Sequence, residues 1–329
     1  MKELRSSWFP VLLGIIFLVA FLNGSLFHSS GKENSIDTKS DEGWQAPDIN
    51  LVPNTPEGEL IRYGRELLIN TSAYFGPRGI VAPLTNGMNC QNCHLWAGTK
   101  AFGNSFTTVS STYPKFRFRS GKVESIEFRI NDCMERSLNG KGLDSLSKEM
   151  RAMVAYFIWI GKGVKKGTIP AGSGIIEIPF LIRSADPGKG KTIYENKCQR
   201  CHQGNGEGAM YPDSSGYIYP PLWGPYSFNV SAGLYRISRL AAFIKNNMPI
   251  DEARERPQLT DEEAWDVAAF ISSQPRGEKR FANDWPQLDT KPPDYPFGPY
   301  ADHFSEEQHK YGPFGPIKEA AEKNKGVSK

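Results

Sequence analysis

Net charge is almost absent from this 329-residue chain: 39 Lys and Arg stand against 36 Asp and Glu, a balance of +3. That excludes the basic surface that nucleic-acid binding needs. Long apolar runs are lacking too, apart from WFPVLLGIIFLVAFL at residues 8–22, so the chain is not polytopic. Histidine and cysteine are scarce, five of each. No cysteine falls between the apolar run and Cys90, which excludes a lipoprotein leader. What is plentiful is glycine (32) and proline (24), the composition of short elements joined by many loops. The length suits two domains of ordinary size.

Lys2 and Arg5 precede the apolar run, the layout of a secretory signal. Extended to Phe27, the run nears the length of a membrane span and would anchor the chain instead. In both cases the bulk is expected on the outer, periplasmic side, either soluble or held to the inner membrane. Residues 1–27 are therefore expected to be a signal or anchor and 28–56 a polar linker.

Two short segments carry the chemistry, CQNCH at 90–94 and CQRCH at 198–202. C-x-x-C-H is the attachment pattern of c-type haem. Two thiols a short turn apart add to the two vinyl groups of one porphyrin, and the adjacent histidine is held beneath the iron as a neutral imidazole ligand. A zinc site needs further Cys or His at ligand spacing, and a disulfide loop has no use for the His. Two covalently bound haems follow, through Cys90, Cys93 and His94 and through Cys198, Cys201 and His202.

The flanks repeat. EGELIRYGRELLIN precedes the first motif and LSKEMRAMVAYFIWI follows it; GKGKTIYENK precedes the second and LTDEEAWDVAAFISS follows it. In the last of these, Thr260 and Glu263 form a capping box, and Ala264, Val267, Ala268 and Ile271 share one helical face. His94 to His202 spans 108 positions and Val154 to Val267 spans 113, a tandem duplication with a small insertion. Each unit resembles a cytochrome c domain. The expected fold is mainly α, with domains at 57–170 and 171–275. A small hairpin and a Pro- and aromatic-rich C-terminal strap, 276–329, complete it.

The residues also offer candidates for the far side of each iron. In the second half, Met248-Pro249 occupies the usual place of a methionine ligand, with Met210 and Lys245 as alternatives. The first half has no Met-Pro; Met150 and Met153 fit a helix core face, and His303 and His309 lie in the tail. Cys133, 39 residues past His94, occupies the corresponding interval. The bland alternative is a buried inert thiol. Arg129 and Arg136 beside it favour the thiolate, which would make this haem the more reducing of the two. Residues 113–132 alternate Phe116, Phe118, Ile126, Phe128 and Ile130 with charged residues, and SGK supplies a turn, so a hairpin is predicted. Arg119 and Arg129 then project from paired strands toward Cys133. Arg forks match oxyanions, and Ser137 adds a hydroxyl, so a small-anion site is predicted there.

With these segments together, CQNCH, INDCMERSLNGKGL, CQRCH, IKNNMP and the tail KPPDYPFGPYADHF…QHKYGPFGPI, the chain resembles the dihaem thiosulfate dehydrogenase (tetrathionate synthase) family over most of residues 57–317. The resemblance implies a first haem ligated by His94 and Cys133, where two thiosulfates become tetrathionate or the reverse. It implies oxyanion contacts from Arg119, Arg129 and Ser137. It also implies a second haem, ligated by His202 and Met248, that exchanges electrons with a small redox partner such as another cytochrome c. Some relatives carry lysine just before this Met; here Asn247 stands there. The rival readings are a substrate-free electron carrier, a dihaem peroxidase, for which histidines near the haems are lacking, and a thiosulfate-conjugating sulfur-oxidation cytochrome.

Overall fold

The computed structural model describes residues 44–250, 252–253 and 256–327. The apolar run at 8–22, its flanking charges and His28 lie outside the described residues. Among the described residues no helix is long and apolar enough to cross a membrane.

Helix α1 (Pro56–Ile69) begins where the Thr55 side chain accepts from Gly58 N–H at 3.2 Å, with Pro56 in its first turn. Glu57 and Glu59 in that turn oppose the positive end of the helix dipole. A short hairpin, β1 (Lys115–Arg117) and β2 (Lys122–Glu124), pairs antiparallel with Phe116 opposite Val123. Helix α2 (Ile126–Arg136) follows, then α3 (Lys148–Ile160), capped by Ser147. Met150 and Met153 are fully buried on the inner face of α3, as the sequence predicts.

The second half repeats the plan with α4 (Pro187–Lys197), an irregular two-stranded sheet of β3 (Ala209–Met210) and β4 (Tyr217–Tyr219), α5 (Ile237–Asn247) and α6 (Asp261–Ser273). The predicted capping box is present: Thr260 N–H donates to Glu263 Oε2 at 2.8 Å and Glu263 N–H to Thr260 Oγ1 at 3.2 Å. Ala264, Val267, Ala268 and Ile271 are all buried.

A glycine sets the same helix crossing in both halves. A Cβ at Gly64 on α1 would stand 2.0 Å from the Ala152 carbonyl oxygen on α3; one at Gly190 on α4 would stand 1.9 Å from the Asp266 carbonyl oxygen on α6. Only hydrogen fits either crossing. The duplication therefore extends from the motifs to the packing of the flanking helices.

The hairpin differs from expectation. It ends at Glu124, and residues 126–136 are helical, so Arg129 projects from a helix and not from a strand. Ser125 decides the change by accepting from Phe128 N–H at 3.2 Å as an N-cap. Ile126, Ile130 and Met134 then fall at i, i+4 and i+8 on one face, a period that a reading confined to 126–130 does not separate from alternation.

Residues 276–305 of the tail carry no regular element beyond a 3-10 turn at Leu288–Thr290. Trp285, Tyr295 and Phe297 form a third core with Phe228, Val230, Ala232 and Tyr235. Asp294, wholly buried, accepts from Arg236 Nη2 and Ser238 Oγ at 2.5 Å each. Helices α7 (Glu306–Tyr311) and α8 (Gly315–Val327) follow; Phe314, just before α8, and Ile317, on it, join the core of the second half.

Candidate functional site

The first motif is a tight turn pinned from α1's far end. Thr71 Oγ1 accepts from Cys90 N–H at 3.0 Å, and Asn92 Oδ1 accepts from Asn89 N–H at 2.7 Å. His94 N–H donates back to the Cys90 carbonyl at 3.0 Å, which turns the imidazole under the motif. Its Nδ1 lies 2.6 Å from the Asn104 carbonyl. A carbonyl only accepts, so Nδ1 carries the proton and Nε2 is the nitrogen left free to bind a metal. The ring stacks on Phe106 at 4.2 Å. The second motif repeats this geometry: His202 N–H donates to Cys198 O at 3.0 Å, and Nδ1 lies 2.9 Å from the Pro220 carbonyl.

These surroundings suit a haem. Burial pushes the Cys90 thiol up to about 11, Cys93 to about 12 and Cys198 to about 11. Such positions favour a neutral sulfur, and a thioether is one. Burial also holds His94 down to about 4, with Arg129 acting in the same direction, and lowers His202. The neutral imidazole is the form that binds iron. Among the described residues no group of three or more His, Cys, Asp or Glu is placed to hold a bare metal ion.

Cys133 lies mid-way along α2, half-buried, and its charge bears on Cys90, Cys93 and Tyr113. The fold thus brings the fifth cysteine to the first motif across some 40 residues of chain. Arg129, one turn earlier, is raised above the usual guanidinium range, first by its coulombic coupling to Cys133 and, against the effect of burial, by Asp132. Ser137, one turn later, donates its N–H to the Cys133 carbonyl at 2.8 Å.

Arg119 is close by but differently placed. Both Arg129 and Arg136 contact the Asp132 carboxylate directly, whereas Arg119 Nη1 stands 3.9 Å from it. Arg136 continues to Asp284 in a bidentate pair at 2.6 and 2.8 Å and stacks on Phe281 at 3.8 Å. Three guanidinium groups, Arg119, Arg129 and Arg136, thus gather beside Cys133 with the carboxylates of Asp132, Asp284 and Glu124 among them. Asp132 and Asp284 were not singled out in the sequence, whereas Arg136 was, as a neighbour of Cys133. The spacing 132–136 is a readable i, i+4 pair, but nothing local points to Asp284. An open cleft of about 910 Å³, lined by Arg119, Asn131, Asp132, Glu135, Arg136 and Asp284, borders this cluster; Cys133, Arg129 and Ser137 do not line it.

In the second half, Met248 caps the end of α5 and packs, half-buried, against the second core and against a cluster of Leu95, Ile175, Ala242 and Phe243. Leu95 directly follows His94. Asn247 is buried and donates Nδ2 to the Phe102 carbonyl of the first half at 3.2 Å. Lys245 Nζ is engaged by the Leu259 carbonyl and, at 3.4 Å, by Asp261 Oδ1. Met210 is 44% exposed on β3.

Residues 82–165 match the family model for the cytochrome c domain of SoxA/TsdA, and residues 188–275 match that for cytochrome c. The chain is 36% identical over 244 residues to the thiosulfate dehydrogenase of Psychrobacter arcticus, covering 74% of this chain and 72% of that protein. It is 38% identical over 234 residues to that of Allochromatium vinosum, covering 70% and 83%. Among solved structures it is similar to the thiosulfate dehydrogenase TsdBA from Marichromatium purpuratum, with a TM-score of 0.67 and 29% identity over 76% of this chain. It spans about half, 51%, of that protein's length.

Proposed function

Because this chain belongs to the thiosulfate dehydrogenase family of dihaem cytochromes c, we propose that it joins two thiosulfates into tetrathionate at the first haem and passes the electrons out through the second. The reaction forms one S–S bond and releases two electrons. Bound haem supplies two one-electron acceptors, one on each C-x-x-C-H.

The observation that carries this reading is the meeting of Cys133 with the first motif and with Arg129. His94 and Cys133 are proposed as the axial ligands of the first iron, and the Asn104 carbonyl fixes the His94 tautomer. Thiosulfate is a dianion, so two of them repel. Arg119 and Arg129 offset that repulsion, and the Ser137 hydroxyl, one turn beyond Cys133, adds a donor. His202 and Met248 are proposed for the second iron. Met248 is favoured over Lys245, which is tied to Leu259 and Asp261, and over exposed Met210. A small redox protein in the periplasm is the proposed electron partner.

The test is anaerobic titration of oxidised holoprotein with thiosulfate alone. Both haems should be reduced, with one tetrathionate formed per two electrons taken up. An unreduced protein would favour the simple electron carrier.

A further inference from the structure

We infer that the C-terminal strap contributes two donors, Trp285 Nε1 and Tyr295 Oη, which with Arg119 Nε form a buried pocket for the sulfonate end of thiosulfate. This rests on the function proposed above and adds residues outside both cytochrome c units.

The starting point is an imbalance of hydrogen bonds. Six buried side-chain polar atoms among the described residues have no hydrogen-bond partner, and three of them, Arg119 Nε, Trp285 Nε1 and Tyr295 Oη, belong to one knot of side chains. Native proteins leave few such atoms orphaned, and those that remain call for a ligand, ion or water. The three are neighbours. The Arg119 guanidinium lies 5.9 Å from the Trp285 ring, and Trp285 meets Tyr295 edge-on at 5.4 Å. The Trp285 indole is directed at the Tyr295 hydroxyl, and Arg119 bears on the same phenol, yet no hydrogen bond is completed. Burial is deep: 8% exposure for Trp285, 2% for Tyr295 and 11% for the Arg119 side chain.

The chemistry of the three atoms selects the occupant. Guanidinium and indole N–H groups only donate, and the phenol donates as well as accepts. A ligand that only accepts satisfies all three, and Arg119 supplies positive charge that Asp132, 3.9 Å away, compensates loosely. The unpaired acceptor Glu124 Oε2 bears on Arg129 and Tyr113, its other oxygen is held by Ser120 at 2.8 Å, and the carboxylate that bears on Tyr295 is Asp284, already paired with Arg136. The backbone agrees. Trp285 is held in the left-handed region, φ 60, with its N–H on the Arg119 carbonyl at 2.6 Å. A bulky residue is rarely kept there without a functional constraint. Arg119 ties the knot to the proposed reacting centre in three steps: Arg119 faces Asp132, Asp132 holds Arg129, and Arg129 is coupled electrostatically to Cys133.

The experiment uses oxidised holoprotein and the variants Trp285→Phe and Tyr295→Phe. Tyr295→Phe removes one hydroxyl and keeps the ring, so it spares the fold. Each variant should raise KM for thiosulfate by roughly tenfold, the loss expected for one hydrogen bond to a charged group, with kcat within about twofold. Sulfate, an inert oxyanion, should raise the melting temperature of the parent protein and do so less in either variant. Both haem potentials should be unchanged. Unaltered KM and unaltered sulfate response overturn the inference. A shifted first-haem potential with unaltered KM also overturns it, since that marks a haem propionate as the occupant. If the parent protein takes no electrons from thiosulfate, the proposed function fails, and the sulfate response alone then decides the pocket.

Discussion

Replacing Asp132 by Asn keeps the side chain's shape and removes its charge. In the folded protein that carboxylate holds Arg129 and Arg136 directly and faces Arg119 at 3.9 Å. Arg136 retains Asp284, so the loss falls on Arg129 and Arg119. Removing one member of a buried charge pair costs about 3–5 kcal/mol, and the amide oxygen left behind recovers part of that. A net loss of roughly 2–4 kcal/mol lowers the melting temperature of a chain this size by about 3–6 °C. The pH dependence supplies a second check. Burial works to lift the Asp132 carboxyl, but Arg129, Arg136 and Arg119 outweigh it and hold it below the usual carboxylate range. A carboxyl depressed in the folded state contributes its stability in full above the unfolded value, about 4, and loses it as pH falls through the folded value. Thermal melts of holoprotein should therefore show the full gap between parent and variant at neutral pH, closing as the solution is acidified below about pH 4. Equal melting temperatures at neutral pH, or a gap that acid leaves untouched, would refute the reasoning.

Gly64→Ala and Gly190→Ala should each destabilise by about 1–3 kcal/mol, because the new Cβ meets a backbone carbonyl oxygen of the crossing helix at 2.0 or 1.9 Å; denaturant titration of either variant reads this, and an unchanged midpoint would mean the helices do not cross there. Met248→Gly should lower the potential of the second haem and remove any methionine-to-iron charge-transfer band, since methionine raises the potential. If spectroelectrochemistry finds neither change, Lys245 or Met210 takes the ligand role.

The parts of this molecule legible in the chain are those specified locally. C-x-x-C-H is a five-residue pattern, and Thr260 with Glu263 meets within one turn, so haem attachment and the start of α6 need no tertiary knowledge. The sequence hides helix α2 because the alternation that begins at Phe116 on β1 and Phe118 just beyond it runs on past Ser125, whose capping bond ends it. The charge cluster was half visible. Arg119, Arg129 and Cys133 attract notice by type, but Arg136 reaches Asp284 across 148 residues, and no local pattern encodes that. Gly64 and Gly190 were unremarked for a similar reason: what makes them glycine is a carbonyl on another helix.

The central claim is that Cys133 and the first haem form the reacting centre, and electron paramagnetic resonance of Cys133→Ala beside the parent protein tests it most directly. The account predicts that both porphyrins stay covalently attached in the variant, because their thioethers use Cys90, Cys93, Cys198 and Cys201. The low-spin thiolate signal of the parent should vanish, and thiosulfate-dependent reduction should fall by orders of magnitude. A variant that keeps the parent's spectrum and its thiosulfate activity would contradict the claim and leave Cys133 an ordinary half-buried thiol.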